Sequence, residues 1–292
     1  MEPDPLYATV SIRVVPPTNE DDPWPTLQDR LGDKKICEGD VLRQLAEQPA
    51  VSFCGGVLLP DGVVVTARHC IQECDQASCE RGHQTDASVV LGYQMQSGRP
   101  PTAEDVQVRP LYVYAVGAGA ADWVVLKTPP PEDAHPYRGK LVPSRKFKPG
   151  HEYQISHHPL GLPLKHGLGE LCEHPDDDDR MRFKATVFNH SSGAPIFSRA
   201  GDTLVGIVKG DRQTRYPVEV KDGCYRHTEC TDGCDVSHRV KSCGTVVVVP
   251  AVWFAQAVKG AQQWRIPEEP VETGRGNPGR GCLRPLTDGR VR

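Results

Sequence analysis

Short Val-rich apolar runs, bounded by Gly, Pro and polar turn residues, recur along this chain, and runs of that kind predict β-strands. Two blocks of them stand out. The first holds residues 50–59, 62–66 and 87–91 and closes near 123–126. The second holds 151–156, 182–188, 204–208 and 244–250. Pro129, Pro130 and Pro131, with the loop that runs on to about Gly139, predict a hinge between the blocks. Helical spacing is confined to 251–264, where Val252, Ala255, Val258 and Ala261 recur on one side. A strand-like stretch at 8–15 stands alone in the Pro- and acid-rich residues 1–36, and from Ile266 the chain is rich in Pro, Gly and Arg. No repeat of fixed period is present. The expected fold class is all-β, two packed halves with a C-terminal helix. The expected division is an N-terminal extension (1–36), a first β block (37–135), a second β block with the helix (136–264) and a disordered tail (265–292).

Composition narrows this reading without changing it. The 292 residues are 38% apolar with 28 Gly besides, and 25% are charged, as in ordinary globular chains. The formal net charge of −4 argues against a general nucleic-acid partner, and no apolar run reaches the ~18–20 residues of a spanning helix, so no membrane insertion is expected. Eleven cysteines suggest an oxidising compartment. The first ten residues, however, carry neither a basic stretch nor an apolar core of the secretory kind. A cytoplasmic location is the expectation, with secretion as the alternative. Disulfides, free thiols and structural zinc all remain open for the cysteines at this point. Cys70, Cys74, Cys79 and His83 form one loose zinc-like cluster. Cys224, Cys230, Cys234 and Cys243, near His227 and His238, form another. Neither has the tight C-x-x-C spacing of a strong zinc site. Cys282 is the candidate for the unpaired thiol. His157, His158, His166 and His174 show no ligand spacing and read as surface residues. Asp176–Asp179 reads as a solvated turn rather than a calcium loop.

Three segments carry chemistry. In Val65-Thr-Ala-Arg-His69-Cys70 a strand ends directly in a His. In Ala121-Asp122-Trp-Val-Val-Leu-Lys127 an acid stands at the mouth of an apolar strand. In Asn189-His190-Ser191-Ser192-Gly193-Ala194-Pro195 a Ser sits in a small-residue turn between strands. Singly, each reads as structure: a satisfied His, a strand-edge acid, an ordinary turn. Together they supply what acyl transfer needs. That chemistry takes a hydroxyl activated by a neutral imidazole, a carboxylate that orients the imidazole, and backbone N–H groups facing the developing oxyanion.

These segments, in the order His69, Asp122, Ser192, resemble the trypsin/chymotrypsin-like serine peptidases, especially their bacterial glutamyl-endopeptidase-like branch. The likeness covers about residues 37–264. Ser52-Phe-Cys-Gly-Gly-Val-Leu-Leu59 with Val64-Val-Thr-Ala-Arg-His-Cys70 is similar to the segment around the catalytic His. Asp122-Trp-Val-Val-Leu-Lys127 is similar to the strand that begins with the Asp. Ser191-Ser-Gly-Ala-Pro-Ile-Phe197 and Leu204-Val-Gly-Ile-Val208 are similar to the nucleophile loop and the strand beside the specificity pocket. His158-Pro-Leu-Gly-Leu-Pro-Leu-Lys165 is similar to a segment of the bacterial branch. The resemblance implies two six-stranded antiparallel barrels with the site in the cleft between them. It implies a serine endopeptidase with Ser192 as nucleophile, His69 as general base and Asp122 as its orienter. The N–H groups of His190 and Ser192 would form the oxyanion hole, and Cys54 and Cys70 a disulfide. A protein or peptide is the implied substrate, a dedicated intracellular protein if the chain stays in the cell; neither a cofactor nor a metal is called for.

Thr186, Val187, Val208, Lys209 and Gly210 are implied to line the specificity pocket. Trypsin-like members have Asp where Thr186 stands, and glutamyl endopeptidases have His where Val208 stands. A neutral or apolar preference is therefore expected, although Lys209 is a cation that could favour an acidic residue. Two departures matter. His190 occupies a position that is usually Gly, which suggests an oxyanion loop needing help to order. The rival reading follows from it: a catalytically weak or inactive homologue that binds a protein partner. A zinc-stabilised interaction module is the more distant rival. Ser191 stands where digestive-type members have the Asp that pairs with a newly released N-terminal ammonium. A hydroxyl cannot balance that buried charge, so activity without N-terminal trimming is expected.

Overall fold

A computed structural model of the chain describes residues 8–13, 24–32, 36–71, 79–118, 121–132, 135–141, 150–171, 181–185, 187–209, 218–221, 224–227 and 246–267. The first half contains β1 (Thr9–Arg13), α1 (Leu27–Leu31), β2 (Cys54–Leu59), β3 (Val63–Thr66), β4 (Gln84–Leu91), β5 (Gln107–Val116) and β6 (Val124–Lys127). The second contains β7 (Lys140–Leu141), β8 (Glu152–His157), β9 (Lys165–Leu171), β10 (Met181–Ala185), β11 (Pro195–Ser198), β12 (Thr203–Val208), β13 (Val218–Lys221), β14 (Cys224–His227), β15 (Val246–Pro250) and α2 (Ala255–Gln263). The expected all-β class holds.

The first six strands close an antiparallel barrel in the order β1-β2-β3-β6-β5-β4. β1 pairs with both β2 and β4. It lies in the segment set apart above as an N-terminal extension, and it is the strand that closes this barrel. In the second half, β11 pairs with β8 on one side and β12 on the other. That pairing brings the sheet β11-β8-β9-β10-β15-β12 back on itself. β7 adds to β12 in parallel.

The uninterrupted apolar runs of β2, β3 and β6 have a simple cause: both of their faces are buried, which removes the usual alternation. Leu58, Val64, Val124 and Leu126 fill the first barrel with Val10, Ile12, Leu111 and Val113. The intervening Val57, Leu59, Val63, Val65 and Val125 pack instead against Phe197, Leu204, Ile207, Phe254 and Val258. Burying a side chain of this size is worth about 1.5–3 kcal/mol, so the faces that join the two halves stabilise them as strongly as either interior. The helix expected at 251–264 is a 3₁₀ turn (Ala251–Trp253) followed by α2, with Val258 and Ala261 on its buried side. Lys127, 5% exposed, donates its ammonium to the Ala261 carbonyl at 2.8 Å, where the C-terminal end of a helix favours a cation.

Cys54 pairs with Cys70 as the resemblance implies, and Cys37 pairs with Cys224 across 187 positions of sequence. Cys79 is also disulfide-bonded, to a partner outside the described residues. Sulfurs spent in these bonds are not thiolates, so Cys70, Cys79 and Cys224 are unavailable to either zinc reading. Cys74, Cys230, Cys234, Cys243, Cys282, His174 and Asp176–Asp179 lie outside the described residues.

Candidate active site

Strand register brings His69 and Asp122 together. Thr66, the last residue of β3, pairs with Val124, the first of β6. The residues just beyond that rung, His69 after Thr66 and Asp122 before Val124, therefore leave the barrel at the same edge. His69 Nδ1 lies 2.8 Å from Asp122 Oδ2, and the His69 backbone N–H donates to Asp122 Oδ1 at 3.1 Å. Burial of Asp122 works against its charge. The hydrogen bonds and charge of His69, with the cation of Lys209 nearby, outweigh that and hold the carboxyl below its usual range. An ionised carboxylate only accepts, so Nδ1 carries the proton, and whenever the ring is neutral its lone pair is on Nε2. The Asp122 side chain is 9% exposed and that of His69 is 48% exposed, which leaves the working half of the imidazole open to a substrate.

Ser192 belongs to the loop that leads into β11. Its carbonyl accepts from Gly55 N–H at 2.7 Å, and Cys70 Sγ lies 3.8 Å from the same oxygen. The nucleophile candidate is thus tied by its backbone to β2 of the first barrel and to the residue that follows His69. Gly193 has φ +80°, and a Cβ there would overlap Thr66 Oγ1 and the Gly55 carbonyl. No other residue fits, which explains the Gly after the candidate nucleophile.

The N–H groups of Ser191, Gly193 and Ala194 donate to Phe188, Val208 and Ser191 carbonyls at 3.1, 2.7 and 3.1 Å. Among the described residues those of His190 and Ser192 engage no acceptor. These two amides, on alternate residues of the loop, are the pair expected from the sequence to form the oxyanion hole. His190 has φ +72°, the left-handed region in which a non-glycine residue costs about 1–2 kcal/mol. The departure from Gly at this position is therefore a real backbone demand. Its imidazole meets that demand through contacts: Nδ1 lies 3.1 Å from the Phe53 carbonyl, and the ring packs edge-on against Phe53 at 5.7 Å. Burial, then the charge of Arg30, push its pKa down to about 4, so it stays neutral.

Two histidines read from the sequence as surface residues are core residues. His157 and His158 are 4% and 1% exposed. His157 Nδ1 lies 2.8 Å from the hydroxyl of the fully buried Ser191, which also accepts from Phe188 N–H at 3.3 Å. Burial drives the two pKa values down to about 3 and about 4. Ser191 is thus held by a neutral imidazole, with no charge to be balanced. Nothing in the periodicity marked His157 as a partner of the loop, because the contact joins β8 to a segment 34 positions away.

Of the pocket residues expected from the sequence, Val208 is a 1% exposed core residue of the second sheet, with Val187 packed against the same apolar cluster. Lys209 stands where its charge acts on Asp122. Thr186 and Gly210 lie outside the described residues. Cys54, His69 and Cys70 bring potential ligand atoms within 4.8 Å of one another, but the two sulfurs are bonded to each other.

The profile of the trypsin-like peptidase domain matches residues 54–207, a span that begins at β2 and ends inside β12. No curated protein sequence matches the chain. Solved structures similar to it include the MamO protease domain from Magnetospirillum magneticum, 14% identical, covering 89% of this chain and 98% of that one with a TM-score of 0.47. They also include a serine endoprotease from Yersinia pestis, 12% identical, covering 88% of this chain and 63% of that one with a TM-score of 0.48.

Proposed function

Because the chain belongs to the trypsin-like peptidase family, we propose that it is a serine endopeptidase that cleaves peptide bonds through an acyl-enzyme on Ser192. The observation that carries this reading is the His69–Asp122 pair, 2.8 Å apart with the carboxylate buried. With the proton on Nδ1, His69 Nε2 takes the proton of the Ser192 hydroxyl as its oxygen attacks the scissile carbonyl. The tetrahedral oxyanion is received by the N–H groups of His190 and Ser192. His69 then protonates the leaving amine, and a water deprotonated by the same ring hydrolyses the ester. Asp122 orients the ring throughout and stabilises the imidazolium that forms twice in the cycle.

Within the family, the likeness to the glutamyl-endopeptidase-like branch rests on 158–165 and is not a likeness of specificity. A neutral or apolar residue before the cut is the reading the sequence supports, since Thr186 and Val208 stand where trypsin-like members have Asp and glutamyl endopeptidases have His. The disulfides support the secreted alternative over the cytoplasm, since such bonds persist in oxidising surroundings. Among the described residues no helix is long and apolar enough to cross a membrane.

A fluorophosphonate probe tests the reading. Labelling of the folded protein that disappears in Ser192→Ala is the expected result. A folded wild-type protein that resists the probe would favour the rival reading, a homologue that binds a partner without cleaving it.

A further inference from the structure

The oxyanion loop is held at three of its residues by its own half or by the barrel opposite. The Asn189 carbonyl accepts from Leu160 N–H at 2.8 Å, the Ser191 hydroxyl meets His157, and the Ser192 carbonyl meets Gly55. His190, the residue in the left-handed conformation, is held differently. Arg30 Nη1 lies 3.4 Å from His190 Nε2, and the same nitrogen donates to the Ser52 carbonyl at 3.4 Å. The guanidinium lies over the Phe53 ring, 4.6 Å from its centroid.

A guanidinium only donates. His190 Nε2 must therefore be the acceptor, and Nδ1–H donates to the Phe53 carbonyl. Both ring nitrogens are engaged, which fixes the tautomer and the plane of the ring. The ring is joined through a single methylene to a backbone held at φ +72°, and the N–H of that backbone belongs to the proposed oxyanion hole. Among the described residues no carboxylate pairs with Arg30, so its half-buried charge is not there to complete an ion pair.

Arg30 is itself firmly seated. α1 opens with a capping box between Thr26 and Asp29. Leu27 and Gln28 donate backbone N–H groups to the Gln48 and Ala46 carbonyls, both at 3.0 Å. Leu27 is buried with Leu42, Ala50, Leu160 and Leu162. Downstream, the Cys37–Cys224 disulfide ties the segment to the second half of the chain.

We propose that Arg30, carried by the N-terminal helix α1, is a positioning residue of the active site that acts through His190 to hold the oxyanion loop in its working conformation. This rests on the reading of Ser192 as nucleophile. It gives the segment before the first catalytic residue a function: it does for the loop, without cleavage, what a newly formed chain terminus cannot do beside Ser191.

The test is a double-mutant cycle in the full chain, with p-nitrophenyl acetate turnover and amide hydrogen exchange as readouts. Arg30→Met keeps the stem and removes the donors; it is expected to lower kcat by about 10–100-fold while KM stays within about twofold. Exchange at residues 188–193 is expected to accelerate about tenfold or more. In a His190→Gly background, whatever its own activity, Arg30→Met should change kcat by less than about twofold, because Gly adopts the left-handed conformation unaided. If Arg30→Met does not fold, Arg30→Lys, which loses the planar fork but keeps the charge, carries the same cycle. An unchanged kcat and unchanged loop exchange in the single variant would overturn the proposal. So would an equal loss in both backgrounds, since Arg30 would then act elsewhere. A folded wild type with no turnover would instead refute the reading of Ser192, and loop exchange would still decide for or against Arg30.

Discussion

Acidification should destabilise this protein well above the range in which carboxylates titrate, and the cause is the pair His157 and His158. Both are enclosed, and burial lowers their pKa values to about 3 and about 4 from an unfolded value near 6.5. The positive neighbours Lys165 and His166 push the same way. Between about pH 6.5 and 4 the unfolded chain binds a proton at each histidine and the folded chain does not. Unfolding is then favoured as pH falls, by about 1.4 kcal/mol per pH unit for each group. Two groups give about 2.7 kcal/mol per unit, or about 5 kcal/mol from pH 6 to 4, comparable to the whole stability of many domains, about 5–15 kcal/mol. His190, whose pKa burial and the charge of Arg30 push down to about 4, adds to the same limb. Asp122, whose pKa is lowered, gives stability that is present above its unfolded value and lost only as pH falls further. The assay is the urea midpoint followed by Trp fluorescence between pH 7 and 4.5, with disulfides intact. His158→Phe removes one titrating group beside Tyr93, so its absolute stability is free to change while the slope falls by about 1.4 kcal/mol per unit. A flat stability from pH 6.5 to 4.5, or the same slope in both proteins, would refute the reasoning.

Asp122→Asn should lower kcat by about 10⁴-fold with little change in the melting temperature, because the amide stabilises the wrong imidazole tautomer; ester kinetics beside a thermal melt check both halves. Gly193→Ala should abolish ester turnover, since its Cβ meets Thr66 and Gly55 rather than open space; turnover near the wild-type level in a folded variant would show that the loop can shift. Cys37→Ser should destabilise by up to about 5 kcal/mol in the chain-entropy account of so long a closed loop, read as a lower urea midpoint, and full reduction of the wild type, which also breaks Cys54–Cys70, should lower the midpoint at least as far. Deletion of residues 1–36 should remove activity and barrel closure together, since β1 and Arg30 lie there, and intact chain should turn over substrate with its first residues still present. An inert intact chain switched on by a cut between about 20 and 50 would contradict that.

The parts of the fold that could be read in advance are those whose pattern is local. The strands 62–66 and 204–208 carry their apolar residues in one run, and the His, Asp and Ser of the site each sit beside such a run. β5 was missed because Pro110 and Arg109 interrupt its alternation. α1 was missed because five residues show no period, although Thr26 followed three positions later by Asp29 is a capping signal that could have marked it. β1 looked like a strand from its sequence, but its pairing with β2 and β4 depends on contacts more than 40 positions away. The same holds for the supports of the site. His157 and Arg30 reach the oxyanion loop across 34 and 160 positions, and no spacing along the chain encodes such a distance. The apolar character of Val187 and Val208 is legible in the sequence, whereas their place in the core of the second half and the nearness of the Lys209 charge to Asp122 need the folded arrangement.

The central claim is that Ser192 is acylated during turnover. Rapid-quench mass spectrometry of the intact protein with p-nitrophenyl acetate measures it directly. One acetyl group per chain, formed in a burst and found on the peptide that contains Ser192, is the expected result, with no adduct in Ser192→Ala or after removal of the His69 imidazole. Turnover without a burst adduct, or an acetyl group carried by Ser191 or by a free thiol, would contradict the account.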